Sequence, residues 1–322
     1  MDSKTRVLTA LAHKKPDRVP FNFWMDRRLM AEYEKKLGHR HWRVTHYGAD
    51  VIESFHALKF PQGPTEEKNG SIWHTGPAFK DWGEIDNLAL PDPHDEDVYD
   101  LLKADLDEFP DKAVLLNIIT PWGVLAEMRT YENVYMDMYE YADEFKKLSQ
   151  RIADIMNITV ERACKMGVTA VYVQEDLATS KGLSMSPSMI NEFCLDYAKG
   201  FVEIAKSYDK PVLFHSDGAV LDLIDILDKF GANAINPLQP NVVDAKEFKS
   251  RFDNKMAVYG GLDNCFIIPE DSPEQIRNHV LETFDVLGKP DGSLIFSTHD
   301  IPYETPAENV EALVSAIMEC KY

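Results

Sequence analysis

Pro211, Val212, Leu213, Phe214, His215, Ser216, Asp217, Gly218: an apolar run goes straight into a histidine, and the chain then turns on an aspartate and a glycine. A run this short, with no polar residue on either alternating face, is the pattern of a strand buried on both sides in a parallel sheet. Two other runs finish the same way, 171–176 on Glu175 and Asp176, and 294–300 on Thr298, His299 and Asp300. Strands that end on such groups aim them at one place.

Working outward, eight apolar runs can be marked, near 18–24, 50–55, 114–120, 170–175, 211–215, 234–238, 256–259 and 293–296. From the third onward they alternate with helical patterns over 136–166, 187–207, 221–230, 273–287 and 306–319. This alternation predicts an α/β fold, a (β/α)8 TIM barrel built as one domain over 1–322. Ser186-Pro187, Ser272-Pro273 and Thr305-Pro306 each set a capping hydroxyl before a proline and so predict helix starts. The stretch 61–111 breaks the rhythm with six prolines, an Asn69-Gly70 turn and an acidic tract. It is expected as a lid-like insertion with a hairpin between the second and third strands.

The chain has 322 residues, 54 acidic against 34 basic, and a formal charge of −20, which repels nucleic acid and anionic membranes. No apolar stretch reaches a membrane span and no signal-peptide pattern opens the sequence, so a cytoplasmic protein is expected. Cys164, Cys194, Cys265 and Cys320 lie far apart and suggest neither a disulfide framework nor a thiolate zinc knuckle.

In a parallel barrel the reactive groups sit at the carboxyl ends of strands. Read there, the runs give a polar ring that includes Asn22, Trp24, His56, Trp122, Glu175, Asp176, His215, Asp217, Asn236 and His299. Two imidazoles and a carboxylate are ordinary ligands of a divalent metal and leave positions open for a substrate. Simpler roles compete: Asp217 as the cap of a helix starting near 220, Glu175 as the salt-bridge partner of Lys181 or Arg162, and Gly260-Gly261 as a structural close approach. Aromatic residues near the same end, Trp24, Trp122 and Tyr172 among them, would favour a planar ligand.

Several motifs in one order resemble the uroporphyrinogen decarboxylase superfamily, which includes corrinoid-dependent methyltransferases. They are Lys14-Lys15-Pro16-Asp17-Arg18-Val19-Pro20, Glu175-Asp176 with Lys181-Gly182, His215-Ser216-Asp217-Gly218, Tyr259-Gly260-Gly261-Leu262-Asp263, and His299 through Val310. The resemblance implies a (β/α)8 barrel. The Arg-Gln-Ala-Gly-Arg-Tyr loop of the decarboxylases is replaced by Met25-Asp26-Arg27-Arg28-Leu29, and Ala57 falls about where their catalytic aspartate would stand. Coenzyme M methyltransferases of the superfamily carry His-x-Cys-Gly and a later Cys. Here Asp217 and His299 stand about where those thiolates would be. Such a ligand set makes a harder Lewis acid, suited to oxygen.

The resemblance therefore implies the methyltransferase I-like component of an O-demethylase. This enzyme would cleave an aromatic methyl ether and pass the methyl group to Co(I) of a cobalamin carried on a partner corrinoid protein. Zinc would be held by His215, Asp217 and His299, with Glu175 as a fourth group. Glu175, Asp176, His215 and His299 would carry the chemistry, and Asn22, Trp24, His56, Trp122, Tyr172 and Asn236 would hold the substrate. A methylcobamide:thiol methyltransferase and a decarboxylase-like lyase stay open, as does a homodimer.

Overall fold

A computed structural model describes residues 1–68 and 71–322, so the Asn69-Gly70 turn lies outside the described residues. Seven parallel strands form one sheet in the order in which they occur along the chain. Numbering barrel strands alone, they are β2 (Val51–Phe55), β3 (Ala113–Ile119), β4 (Ala170–Gln174), β5 (Val212–His215), β6 (Ala234–Asn236), β7 (Ala257–Gly261) and β8 (Leu294–Ser297). Closure falls to the first run. Phe21 bridges Phe296 of β8, Asp50 donates its amide to the Phe21 carbonyl beside β2, and β1 (Trp24–Met25) pairs with 300–301. The result is the (β/α)8 barrel the sequence implies.

The first strand is not the regular 18–24 run that apolarity suggests. Pro20 has no N–H to give a ladder, and the Phe21 amide goes to the Asp50 side chain at 3.0 Å. The helices follow the pattern with one break, because 136–166 is divided at Tyr141 between helices Tyr131–Glu140 and Ala142–Met166. Ser186 and Ser272 cap as expected, Ser272 in a full capping box. Thr305 does not: the last helix, Ala307–Glu319, starts one residue later with Pro306 at its cap. Between β2 and β3 the chain forms an antiparallel hairpin (Thr65–Lys68 with Ser71–His74) and a helix, Asp100–Glu108.

Strand alternation sets what fills the barrel. Val51, Ala113, Leu115, Ala170, Tyr172, Leu213, Ala234, Ala257, Tyr259 and Ile295 form an interior core, against which Val7, Ala10 and Leu11 of the amino-terminal helix (Ser3–Leu11) pack. That helix plugs the amino-terminal end. Stepping two residues further along β4, β5 and β6 carries the inward face from Tyr172 to Gln174, from Leu213 to His215 and from Ala234 to Asn236. The opposite end is therefore polar. Among the described residues, no helix is long and apolar enough to cross a membrane.

Candidate active site

At the carboxyl end, His215, Asp217 and His299 each offer a ligand atom, and these atoms lie within 4.8 Å of one another. His215 Nε2 is 3.9 Å from Asp217 Oδ1, and His299 Nε2 is 3.5 Å from Asp217 Oδ2. A second carboxylate, Asp176, stands 3.7 Å from His215 Nε2 and accepts the Asp217 amide at 2.9 Å. Asp217 caps no helix, since the next one starts at Leu221 without a side-chain cap.

The orientation of His215 is fixed from behind. Its Nδ1 lies 2.6 Å from Asn236 Oδ1, while the Asn236 amide donates to the Tyr259 carbonyl at 2.6 Å. That second bond assigns the Asn236 oxygen to the histidine, so Nδ1 carries the proton and Nε2 keeps its lone pair toward Asp176, Asp217 and His299. The Tyr172 hydroxyl donates to the same Asn236 oxygen at 2.6 Å. A metal-ligating histidine normally has such a support on its other nitrogen. Asp217 Oδ1 is buried and, among the described residues, has no hydrogen-bond donor. An orphaned carboxylate oxygen beside two imidazoles fits a divalent cation.

Glu175 stands apart from this trio. It is 5% exposed, takes a hydrogen bond from the Thr120 hydroxyl, and accepts the Asp176 amide at 3.1 Å. Burial pushes its carboxyl up to about 8, against the opposing pull of the Thr120 hydroxyl. Among the described residues Glu175 forms no salt bridge to Lys181 or Arg162; Arg162 pairs with Glu96. Glu175 thus stands beside the trio as a carboxyl whose burial favours the protonated form, and it is not among the three residues whose ligand atoms group within 4.8 Å.

Two cavities meet at the histidines. One of about 180 Å³ is walled by Trp24, Phe55, Tyr172 and Asn236, and one of about 260 Å³ by Glu127, Tyr131, Glu175 and Asp176, with Gln174, His215 and His299 shared by both. Neither is lined by a lysine or an arginine among the described residues. A larger cavity of about 560 Å³ lies at the amino-terminal end near Leu8 and Gly231; no histidine or cysteine lines it.

Of the other residues expected to hold substrate, Trp24, Tyr172 and Asn236 line the smaller cavity. His56 lines a separate space of about 360 Å³ that shares Ile119 and Glu127 with the larger cavity, and burial lowers its pKa to about 4. Trp122 is fully buried, packed edge-on against Tyr131 and Tyr135, so it belongs to the core. Asn22 is also fully buried, beneath the cavity, donating to Glu53 and Tyr259. Gly260 is structural, because a Cβ there would stand 1.5 Å from the Pro237 carbonyl oxygen.

Glu53 is the residue that sequence reasoning missed. It sits inside β2 at 7% exposure, and its Oε1 accepts from the Tyr259 hydroxyl at 2.5 Å, Trp24 Nε1 at 2.9 Å and Asn22 Nδ2 at 3.3 Å. A carboxylate within Val51-Ile52-Glu53-Ser54-Phe55 was the available signal, since a buried charge in an apolar strand needs a reason.

A closed parallel barrel with a histidine–carboxylate cluster and a buried acid at its carboxyl end is the architecture of a barrel enzyme. The chain belongs to the uroporphyrinogen decarboxylase (URO-D) family, whose model matches residues 66–320. The uroporphyrinogen decarboxylase of Coxiella burnetii (strain Dugway 5J108-111) is 24% identical over 208 residues, which is 62% of this chain and 55% of that enzyme. The match thus spans little more than half the length of that curated relative. Among solved structures, a methyltransferase from Methanosarcina mazei shares the fold over 99% of both chains, with a TM-score of 0.75 and 17% identity. A B12-independent methionine synthase from Shewanella sp. W3-18-1 matches 95% of this chain and 93% of its own, with a TM-score of 0.52 and 10% identity.

Proposed function

We propose that this protein is a corrinoid-dependent methyltransferase of the O-demethylase type. In this proposal it takes a methyl group from a methoxylated aromatic and delivers it to the Co(I) corrinoid of a separate protein. The observation that carries the proposal is the ligand set itself: two imidazoles and a carboxylate oxygen with no donor among the described residues, beside a buried acid whose carboxyl burial raises. Zinc, held by His215, Asp217 and His299, would supply Lewis-acid polarisation of the ether oxygen.

This chain's own residues account for the rest. Asn236 and Tyr172 hold His215 in the tautomer that leaves Nε2 available. Trp24, Phe55 and Tyr172 offer aromatic surface to a ring in the smaller cavity. The partner protein's corrinoid would supply the nucleophile that accepts the methyl group as the carbon–oxygen bond breaks, and Glu175 would give its proton to the departing phenolate. That acid matters because a phenolate is a poor leaving group without it. The segment 61–111 would cover the mouth, since Gln62 already lines the wall next to Glu127.

Decarboxylation of a porphyrinogen, the activity named for the curated relatives, is the weaker reading. Its multiply carboxylated macrocycle would meet cavities of about 180 and 260 Å³ with no lysine or arginine in their described walls. The test mixes zinc-loaded protein, a reduced corrinoid protein and methoxyarenes, and follows methylcobalamin and free phenol together. Stoichiometric appearance of both is expected. Methylation of coenzyme M from methylcobalamin with no ether cleaved would assign the thiol reaction in its place.

A further inference from the structure

We infer that Glu53 selects the methyl donor, which is an uncharged methoxyphenol whose hydroxyl donates to this carboxylate; anionic methoxyarenes are turned away. For the identity of the reaction the inference rests on the proposed ether cleavage. For recognition it rests on the cavity.

The walls that meet at His215 and His299 carry Glu53, Asp300, Glu127, Glu175 and Asp176, and no described cation. With the proposed zinc taken up at the ether oxygen, a substrate carboxylate or sulfonate elsewhere on the ring would leave water for a space that already holds acids and offers it no other positive partner among the described residues. The nearest arginine does not change this. Arg43 lines neither cavity: it is stacked 4.1 Å from the Trp24 ring, donates to the Phe23 carbonyl at 2.6 Å, and forms no ion pair with Glu53 among the described residues.

Glu53 itself is half used. Tyr259, Trp24 and Asn22 all donate to Oε1, while among the described residues no donor reaches Oε2. The side chain is more than nine-tenths buried and lines the smaller cavity, so its free oxygen is an acceptor available to a ligand there. Three donors from two distant parts of the chain fix the plane of the carboxylate in advance, which lowers the cost of ordering it on binding. A space of about 180 Å³ with Trp24, Phe55 and Tyr172 in its walls takes one substituted benzene ring. Filled that way, the ring places its hydroxyl at Glu53 and its ether oxygen toward the histidines that share the cavity.

The test is calorimetric titration of the zinc-loaded protein with 2-methoxyphenol, 1,2-dimethoxybenzene and 4-hydroxy-3-methoxybenzoate. A hydrogen bond to a charged acceptor predicts that 2-methoxyphenol binds at least roughly tenfold tighter than either of the others. Glu53→Gln should remove most of its advantage over the dimethoxy compound. Equal binding of the phenol and the benzoate would overturn the inference, as would an unchanged preference in Glu53→Gln. The wild-type series decides the matter even if the variant does not fold. Methyl transfer from the same three ethers is measured in parallel. If the binding order holds and no ether is cleaved, the reaction proposal falls and the role of Glu53 stands. If all three are cleaved with equal kcat/KM, the role of Glu53 falls and the reaction stands.

Discussion

The two ends of this barrel treat buried acids in opposite ways. At the amino-terminal end Asp50 is fully buried, and every approach to it is occupied: Arg6 donates at 2.7 Å, Arg18 at 2.7 and 3.0 Å, and the Phe21 amide at 3.0 Å. Asp17 shares Arg6, and that guanidinium holds its carboxyl well below the usual range. At the carboxyl end Glu175, Asp217 and Glu53 are buried or half-buried beside hydroxyls, amides and imidazoles, with no arginine or lysine in ion-pair range among the described residues. The first arrangement closes a barrel. The second leaves valences open, and open valences in a polar cavity are where a ligand or a metal binds.

Breaking each end separately should give different failures. The largest effect belongs to His215→Ala. Methyl transfer should fall by roughly 10³-fold or more because a ligand and its tuned lone pair are lost together. The thermal midpoint should stay within a few degrees, checked by a melt on the same sample. Asp50→Ala should do the reverse. With Arg6 and Arg18 left facing a vacated site, it should cost about 3–5 kcal/mol in denaturant unfolding, with activity per folded molecule unchanged. If Asp50→Ala abolished activity in fully folded protein, or His215→Ala prevented folding, the division between the ends would fail.

Glu175→Gln sharpens the contrast, because it should lose activity while gaining stability. Its carboxyl is raised by burial from 4.5 to about 8, so the folded protein holds a proton that the unfolded chain gives up. That contribution is complete below pH 4.5 and disappears as pH rises through about 8, so wild-type stability falls across this window. In metal-free protein the glutamine variant should lack that slope and be more stable by on the order of 1–3 kcal/mol at pH 8, read from urea unfolding at several pH values.

The smallest effect is at His56, whose pKa is lowered from 6.5 to about 4 by burial. The unfolded chain binds this proton first, so stability drops as pH falls from 6.5 toward 4. His56→Gln should flatten that decline by about 1–2 kcal/mol while leaving the metal content of the His215, Asp217 and His299 site unchanged. An unchanged acid limb in the unfolding curves would mean that His56 is already solvated.

His215 and Asn236 were legible in sequence because each closes an apolar strand, and the alternation that buries Leu213 and Ala234 also turns them inward. Ser186 and Ser272 were legible as caps because a serine before a proline is a local signal. Glu53 was not legible. It lies mid-strand, and its donors include Tyr259, 206 positions away, which only barrel closure brings near. Trp122 misled for a related reason: it follows a strand, but the next turn of helix swings it outward into contact with Tyr131 and Tyr135. Glu175 was found as a group at a strand end, and what the sequence did not show is its hydrogen bond from Thr120, which holds it in the wall it shares with His215 and His299.

The central claim is that His215, Asp217 and His299 hold a divalent metal. The direct measurement is metal content after stripping with chelator, adding zinc and removing the excess, on wild type and on Asp217→Ala. The account predicts about one equivalent in the wild type and a loss of nearly all of it in the variant, with both proteins folded. Less than about a tenth of an equivalent in folded wild type, or full retention in Asp217→Ala, would contradict it.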